Sequence, residues 1–254
     1  NSRRRLDQAG ALGFFTRGVG AAGAPIRMAN IETNSPLSNR SGNGALRGIL
    51  VDILDAVISK QMGVPIQHTG YPWVRAQRLA KAGEVDGICT IATSARLEYA
   101  AASSEVVVAA PRRIFVRADN PMLEALQHVR DLAELKQLNP VVVSYIGNGC
   151  GTENLGGFNV VSGNDYESGL KMLIAKRGDV MIDNSLTMQF SLANTDGGDQ
   201  VRMMPARLES SNFQLLISKA SAQLELLPRF DKELALYKMT PAYADIFKKY
   251  GVKI

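Results

Sequence analysis

A chain of 254 residues, 46% hydrophobic and 21% charged, is long enough for two compact cores and too apolar for disorder, and it lacks the roughly 18 uninterrupted apolar residues of a membrane-spanning helix. Much of its formal charge of +5 comes from one end, where Arg3, Arg4, Arg5 and Arg17 face only Asp7; the mixed surface that remains argues against a nucleic-acid interface. Cys89, Cys150, His68 and His128 are too scattered for a metal site, so neither metal nor cofactor is expected, and the cysteines stay open between a bridge and two thiols.

Residues 1–24 read as a unit of their own. Ser2-Arg3-Arg4-Arg5-Leu6, a Gly/Ala-rich apolar stretch and the small residues Ala22-Gly23-Ala24 resemble a twin-arginine export signal, from which Asp7 and Arg17 depart; the other reading is a basic arm. From Pro25 extended and helical patterns alternate, the mark of βαβ units and a largely parallel sheet. Residues 26–31 suit a first strand. Ile49, Leu50, Ile53, Leu54, Val57 and Ile58 recur at helical spacing, and Gly63 is placed to stop that helix. A strand at 65–68, a helix at 73–82 and a strand at 85–91 follow, with 106–110 extended. Pro111-Arg112-Arg113 predicts an interruption before a strand at 114–116.

A second set begins there: a helix at 129–138, a strand at 141–145, a helical turn at 152–155 and a strand at 160–161. Then come a helix capped by Asp165 and running to about 176, a strand at 180–182, a helix at 186–193 and a strand at 201–204. Residues 213–217 are extended, and helices at 220–237, broken near Pro228, and at 241–249 end the chain. The expected fold class is α/β, with two Rossmann-like α/β lobes joined by a two-strand hinge. Residues 25–110 form the first part of lobe 1, 111–206 form lobe 2, and 207–254 return to lobe 1, with hinge positions near 109–113 and 206–209. In open α/β sheets ligands lie beyond the carboxyl ends of the strands, so cleft residues should directly follow strands.

Four segments resemble one family in order: Leu46 to Leu54, with Gly48 and Asp52; Tyr71-Pro72-Trp73-Val74-Arg75; Gly83-Glu84-Val85-Asp86-Gly87; and Thr93-Ser94-Ala95-Arg96. They look like the family 3 extracellular solute-binding proteins of polar amino-acid ABC transporters, which have the type II periplasmic-binding fold. The resemblance extends more weakly through Gly178-Asp179-Val180 to Tyr250-Gly251, over residues 25–254. It implies that Arg96 grips a ligand carboxylate, as a planar guanidinium with two parallel donors can; the alternative is a surface pair with Glu98 or Glu105. It also implies that Trp73 is an aromatic near the cleft, the alternative being a core anchor. Thr90 and Thr93 offer hydroxyls to a ligand, or serve as plain turn and capping residues. Glu32, Thr33 and Asn34 follow the first strand and should face the cleft.

In the second lobe the loop Gly147-Asn148-Gly149-Cys150-Gly151-Thr152 lets backbone N–H groups, those of Gly149 and Thr152 among them, converge on an anion; a plain turn is the other reading. Family members commonly place a carboxylate after the strand at 180–182, where this chain has Asp183 and then Asn184, which puts standard α-amino-acid binding in question. The expected function is capture of a small polar, carboxylate-bearing ligand by a periplasmic monomer that serves the membrane permease of an ABC transporter. The alternatives are a periplasmic enzyme on the same scaffold, resembling cyclohexadienyl dehydratase with Glu32 as general acid, and a ligand-sensing module.

Overall fold

A computed structural model describes residues 24–146 and 155–254. The reading of residues 1–24 as signal or arm, all but Ala24, and that of Gly149, Cys150 and Thr152 as part of an anion loop lie outside the described residues. Strand β1 (Ile26–Ile31) leads into a ribbon of β2 (Thr33–Asn34), β3 (Ser38–Arg40) and β4 (Leu46–Arg47). Strands of two and three residues carry no readable alternation, so the ribbon had no sequence signal. Gly48 then turns the chain into helix α1 (Ile49–Leu54) at φ 148°, where an added Cβ would overlap the Leu37 carbonyl; only glycine fits. The helix runs on toward the expected stop at Gly63, which has φ 67°, but it widens into a π-helix over Asp55–Gln61, with the Met62 N–H reaching the Val57 carbonyl at 2.9 Å.

The chain continues through β5 (Ile66–Tyr71), α2 (Trp73–Lys81), β6 (Gly87–Ile91), α3 (Ser94–Leu97) and β7 (Ala100–Ala102) to the long β8 (Val108–Arg117). The interruption expected at Pro111 is absent. Pairing of β8 with the last strand ends at Pro111 opposite Ser210, and its pairing with a different neighbour begins at Arg112, so the missing N–H falls where the ladder changes partners. An unexpected helix α4 (Leu123–His128) comes next, and the helix expected at 129–138 is the shorter α5 (Leu132–Gln137), which starts late because an extended Asp131 caps it through the Glu134 N–H at 2.8 Å. Then follow β9 (Val141–Tyr145), β10 (Asn159–Gly163), α6 (Tyr166–Ile174) behind an Asp165/Ser168 capping box, and β11 (Val180–Asn184). Next are α7 (Ser185–Ala193), β12 (Val201–Met203) and β13 (Ser210–Ser218). A short turn at Ala222–Leu226 opens into α8 (Leu227–Lys238), so Pro228 sits in a first helical turn rather than at a kink, and α9 (Pro241–Lys249) follows.

Eight strands form one path, β10-β9-β11-β8-β13-β6-β1-β5, built from two similar halves, with β12 beside β8, β7 beside β13 and the β2-β3-β4 ribbon apart. In one, β5, β1 and β6 are parallel and β13 closes the set antiparallel; in the other, β10, β9 and β11 are parallel and β8 closes it. Side chains alternate between two apolar clusters in each half. Leu215 and Ile217 join Ile26, Ile53 and Phe230, while Leu216 joins Ala76 and Ile88. Ile114 and Val116 join Leu126 and Val142, while Phe115 joins Val143 and Leu170. Coverage of both faces explains why these strands read as unbroken apolar runs.

Candidate ligand-binding cleft

At the carboxyl ends of β1 and β9 the two half-sheets share a polar cavity of about 460 Å³. Glu32, Asn34 and Arg40 line it from the first half, and Tyr145, Tyr166 and Thr187 from the second. Glu32, expected as a free cleft carboxylate, accepts from Arg40 Nη2 at 2.9 Å and Nε at 3.1 Å, and Arg40 Nη2 also donates to the Gly70 carbonyl at 2.9 Å. Both Arg40 nitrogens meet the same Glu32 oxygen, Oε2. The tyrosine rings meet edge to face with centroids 5.3 Å apart. Burial pushes both phenols above their usual range, helped at Tyr145 by the neighbouring Asp183 charge, so both remain protonated donors.

Arg96 and Trp73, read separately in the sequence, are brought together: the Arg96 guanidinium lies 5.0 Å from the centroid of the Trp73 ring. Trp73 opens α2 and Arg96 lies in α3, just beyond the end of β6. Arg96 Nη1 donates to the Ile91 carbonyl at 2.8 Å and Nε to Gln77 Oε1 at 3.1 Å. Its Nη2 group has no partner among the described residues, so a half-buried, oriented guanidinium keeps donors in reserve. Burial pulls its pKa down, opposed by Tyr99. Neither expected ion pair of Arg96, with Glu98 or with Glu105, is formed; Glu105 pairs with Lys238 instead. Thr93 is exposed and caps α3 through its carbonyl alone, and Thr90 is buried on β6.

Asp183 is 8% exposed at the end of β11. Its Oδ1 accepts from the Asn184 N–H, and its buried Oδ2 has no hydrogen-bond partner. Burial raises the carboxyl above its usual range, against the Asn184 N–H and the nearby Arg112 charge. Arg112, also buried, donates to the Ile182 carbonyl at 3.1 Å. Asn184 caps α7, its Oδ1 accepting from Leu186 and Thr187 N–H groups at 2.9 and 3.3 Å, so that oxygen is already engaged. Arg40, Tyr145 and Tyr166 were missed in the sequence. Tyr145 ends a strand and carried a usable signal, whereas Arg40 depends on the unread ribbon.

Cys89 is a buried free thiol whose pKa burial pushes up, which makes it unreactive. No group of three metal-binding side chains converges among the described residues, and no described helix is long and apolar enough to cross a membrane.

The sequence model for bacterial extracellular solute-binding proteins, family 3, matches residues 26–253. No curated protein matches. Among solved structures, the second substrate-binding domain of a putative amino acid ABC transporter from Streptococcus pneumoniae superposes with a TM-score of 0.70 at 20% identity, covering 88% of this chain and 98% of that one. The second substrate-binding domain of Lactococcus lactis GlnP, in an open conformation, gives 0.70 at 16%, covering 89% and 94%. An ancestral amino-acid-binding protein described as a precursor of cyclohexadienyl dehydratase gives 0.62 at 18%, covering 89% and 95%.

Proposed function

Because the chain belongs to the bacterial extracellular solute-binding proteins of family 3, we propose that it captures a small polar solute bearing a carboxylate between two lobes and presents it to the permease of an ABC transporter. The observation that carries this reading is the polar cavity lined from both half-sheets at the carboxyl ends of their strands. In this reading residues 25–110 and 207–254 make one lobe and 111–206 the other, and Arg96, steadied by Trp73, Gln77 and the Ile91 carbonyl, supplies the carboxylate grip. Asn34, Tyr145 and Tyr166 add neutral contacts from the cavity wall, Thr93 adds one from beside Arg96, and Asp183 acts from beneath by polarising Tyr145. The loop with Gly149 and Thr152 contributes backbone donors, and the protein works as a monomer exported through a signal in residues 1–24.

Calorimetric titration with amino acids, small dicarboxylates and amines tests the reading, with the ligand recovered and identified afterwards. A carboxylate-bearing solute should bind and return unchanged, and Arg96→Ala should weaken it by about 2 to 5 kcal/mol. Undiminished affinity in that variant takes Arg96 out of the site, and conversion of the solute replaces transport with catalysis.

A further inference from the structure

A second cavity, of about 420 Å³, lies against the two strands that pass between the half-sheets and shares no lining residue with the polar cleft. The two-residue period of β8 divides its adjacent arginines. Arg112 runs to the Ile182 carbonyl, whereas Ala109, Pro111 and Arg113 border this second cavity. Arg207 and Lys253 line it too, and no acidic side chain does. Arg113 is steadied through Nη1 by the carbonyls of Met204, Pro205 and Ala206, while its buried Nε has no hydrogen-bond partner. Burial and the charge of Arg207 both pull the Arg113 pKa down. Among the described residues none of these three cations forms an ion pair.

Two guanidiniums that repel each other, with no acidic side chain on the wall to offset them, make a place where an anion is favoured. The rest of the wall is mixed: Ser185, Gln189 and Ser210 interrupt a surface that is otherwise largely apolar and includes the buried Leu186 and Phe247. A bare inorganic anion would leave that surface wet, whereas an acid with an apolar body covers it. We propose that this cavity is a second binding site, for a small carboxylic acid with an aliphatic or aromatic body. The carboxylate lies between Arg113 and Arg207 and the body lies against Leu186 and Phe247. The site stands independently of what the polar cleft binds.

The test is calorimetric titration of the full chain with hexanoate, with hexanamide as the uncharged counterpart and sulfate as the bare anion. Hexanoate should bind saturably and at least about tenfold more tightly than either control. Arg207 is exposed, so Arg207→Gln leaves the core untouched; it should weaken hexanoate about tenfold, while Arg96→Ala leaves hexanoate affinity unchanged. The inference is overturned if hexanoate fails to saturate, or if hexanamide or sulfate binds equally well. It is also overturned if Arg96→Ala abolishes hexanoate binding while Arg207→Gln retains it, a result that puts the acid in the polar cleft and leaves the cleft reading intact.

Discussion

The Asp86 carboxylate accepts from the Arg27 backbone N–H at 2.7 Å, from the Arg27 guanidinium Nε at 3.0 Å and from the Ser221 hydroxyl at 2.8 Å. Burial alone would raise its pKa, but these donors outweigh burial and hold the carboxyl below its usual range. A carboxyl whose folded pKa lies under the unfolded value of about 3.9 adds stability above that value and loses it as the pH falls through the folded pKa. Asp86→Asn should therefore lower stability at neutral pH and flatten the acid limb of the stability curve, read from urea midpoints at successive pH values. An acid limb as steep as that of the parent chain would exclude this role. Gly48, Asp52 and Asp86, which helped make the family legible, hold the fold together. Asp52 accepts from Lys249 at 2.7 Å and from the Tyr250 hydroxyl at 3.0 Å, fastening the end of the chain to α1. The ligand-facing residues were less legible. Arg96 and Trp73 stood out singly, but their contact depends on the segment after β6 lying beside α2, which no local spacing encodes. The cap made by Asn184 was readable, since an asparagine ahead of an apolar helical run is an N-cap signature.

Each half-sheet fastens its first strand by the same device. The Asp86 N–H donates to the Arg27 carbonyl while its carboxylate takes the Arg27 N–H; the Asp179 N–H donates to the Val141 carbonyl at 2.8 Å while its carboxylate takes the Val141 N–H at 2.8 Å. This two-point clamp fixes where β6 and β11 start relative to β1 and β9, and thus which residues reach the cleft ends of those strands. Asp179→Ala should cost about 1 to 3 kcal/mol, since a partly buried N–H loses its acceptor. Amide hydrogen exchange should accelerate in β9 and β10 and stay unchanged in β1 and β5. Acceleration spread evenly over both halves would show that the clamp does not act locally. The parallel strands were legible because both faces of the sheet are covered and the apolar runs are dense. The ribbon at β2 to β4 was not, and Arg40 was lost with it. Pro111 misled for a physical reason: a proline normally ends a ladder, but here it marks the exchange of one partner strand for another.

At the scale of the molecule, the two halves are joined through β8 and β13, and their apolar clusters meet at α7. Leu186 and the partly buried Phe190 of α7 lean on the first half, packing against the cluster that holds Phe230 and Phe247. The cavity between Arg40 and Tyr145 is lined from both halves, and the proposed capture predicts that a ligand bridging it draws the two walls together. A carboxylate ligand found by calorimetry should accordingly reduce the radius of gyration measured by small-angle scattering. At a hundredfold excess over its dissociation constant it should stabilise the fold by about 2.7 kcal/mol. The two measurements separate two kinds of site. Stabilisation with an unchanged radius means that the solute sits on one wall and the halves do not close on it, because binding energy alone raises stability whereas only closure shortens the particle. Arg96→Ala tells which wall holds the solute first: if Arg96 anchors it before closure, the variant loses affinity and compaction together, and if the second wall does so, affinity falls less than compaction.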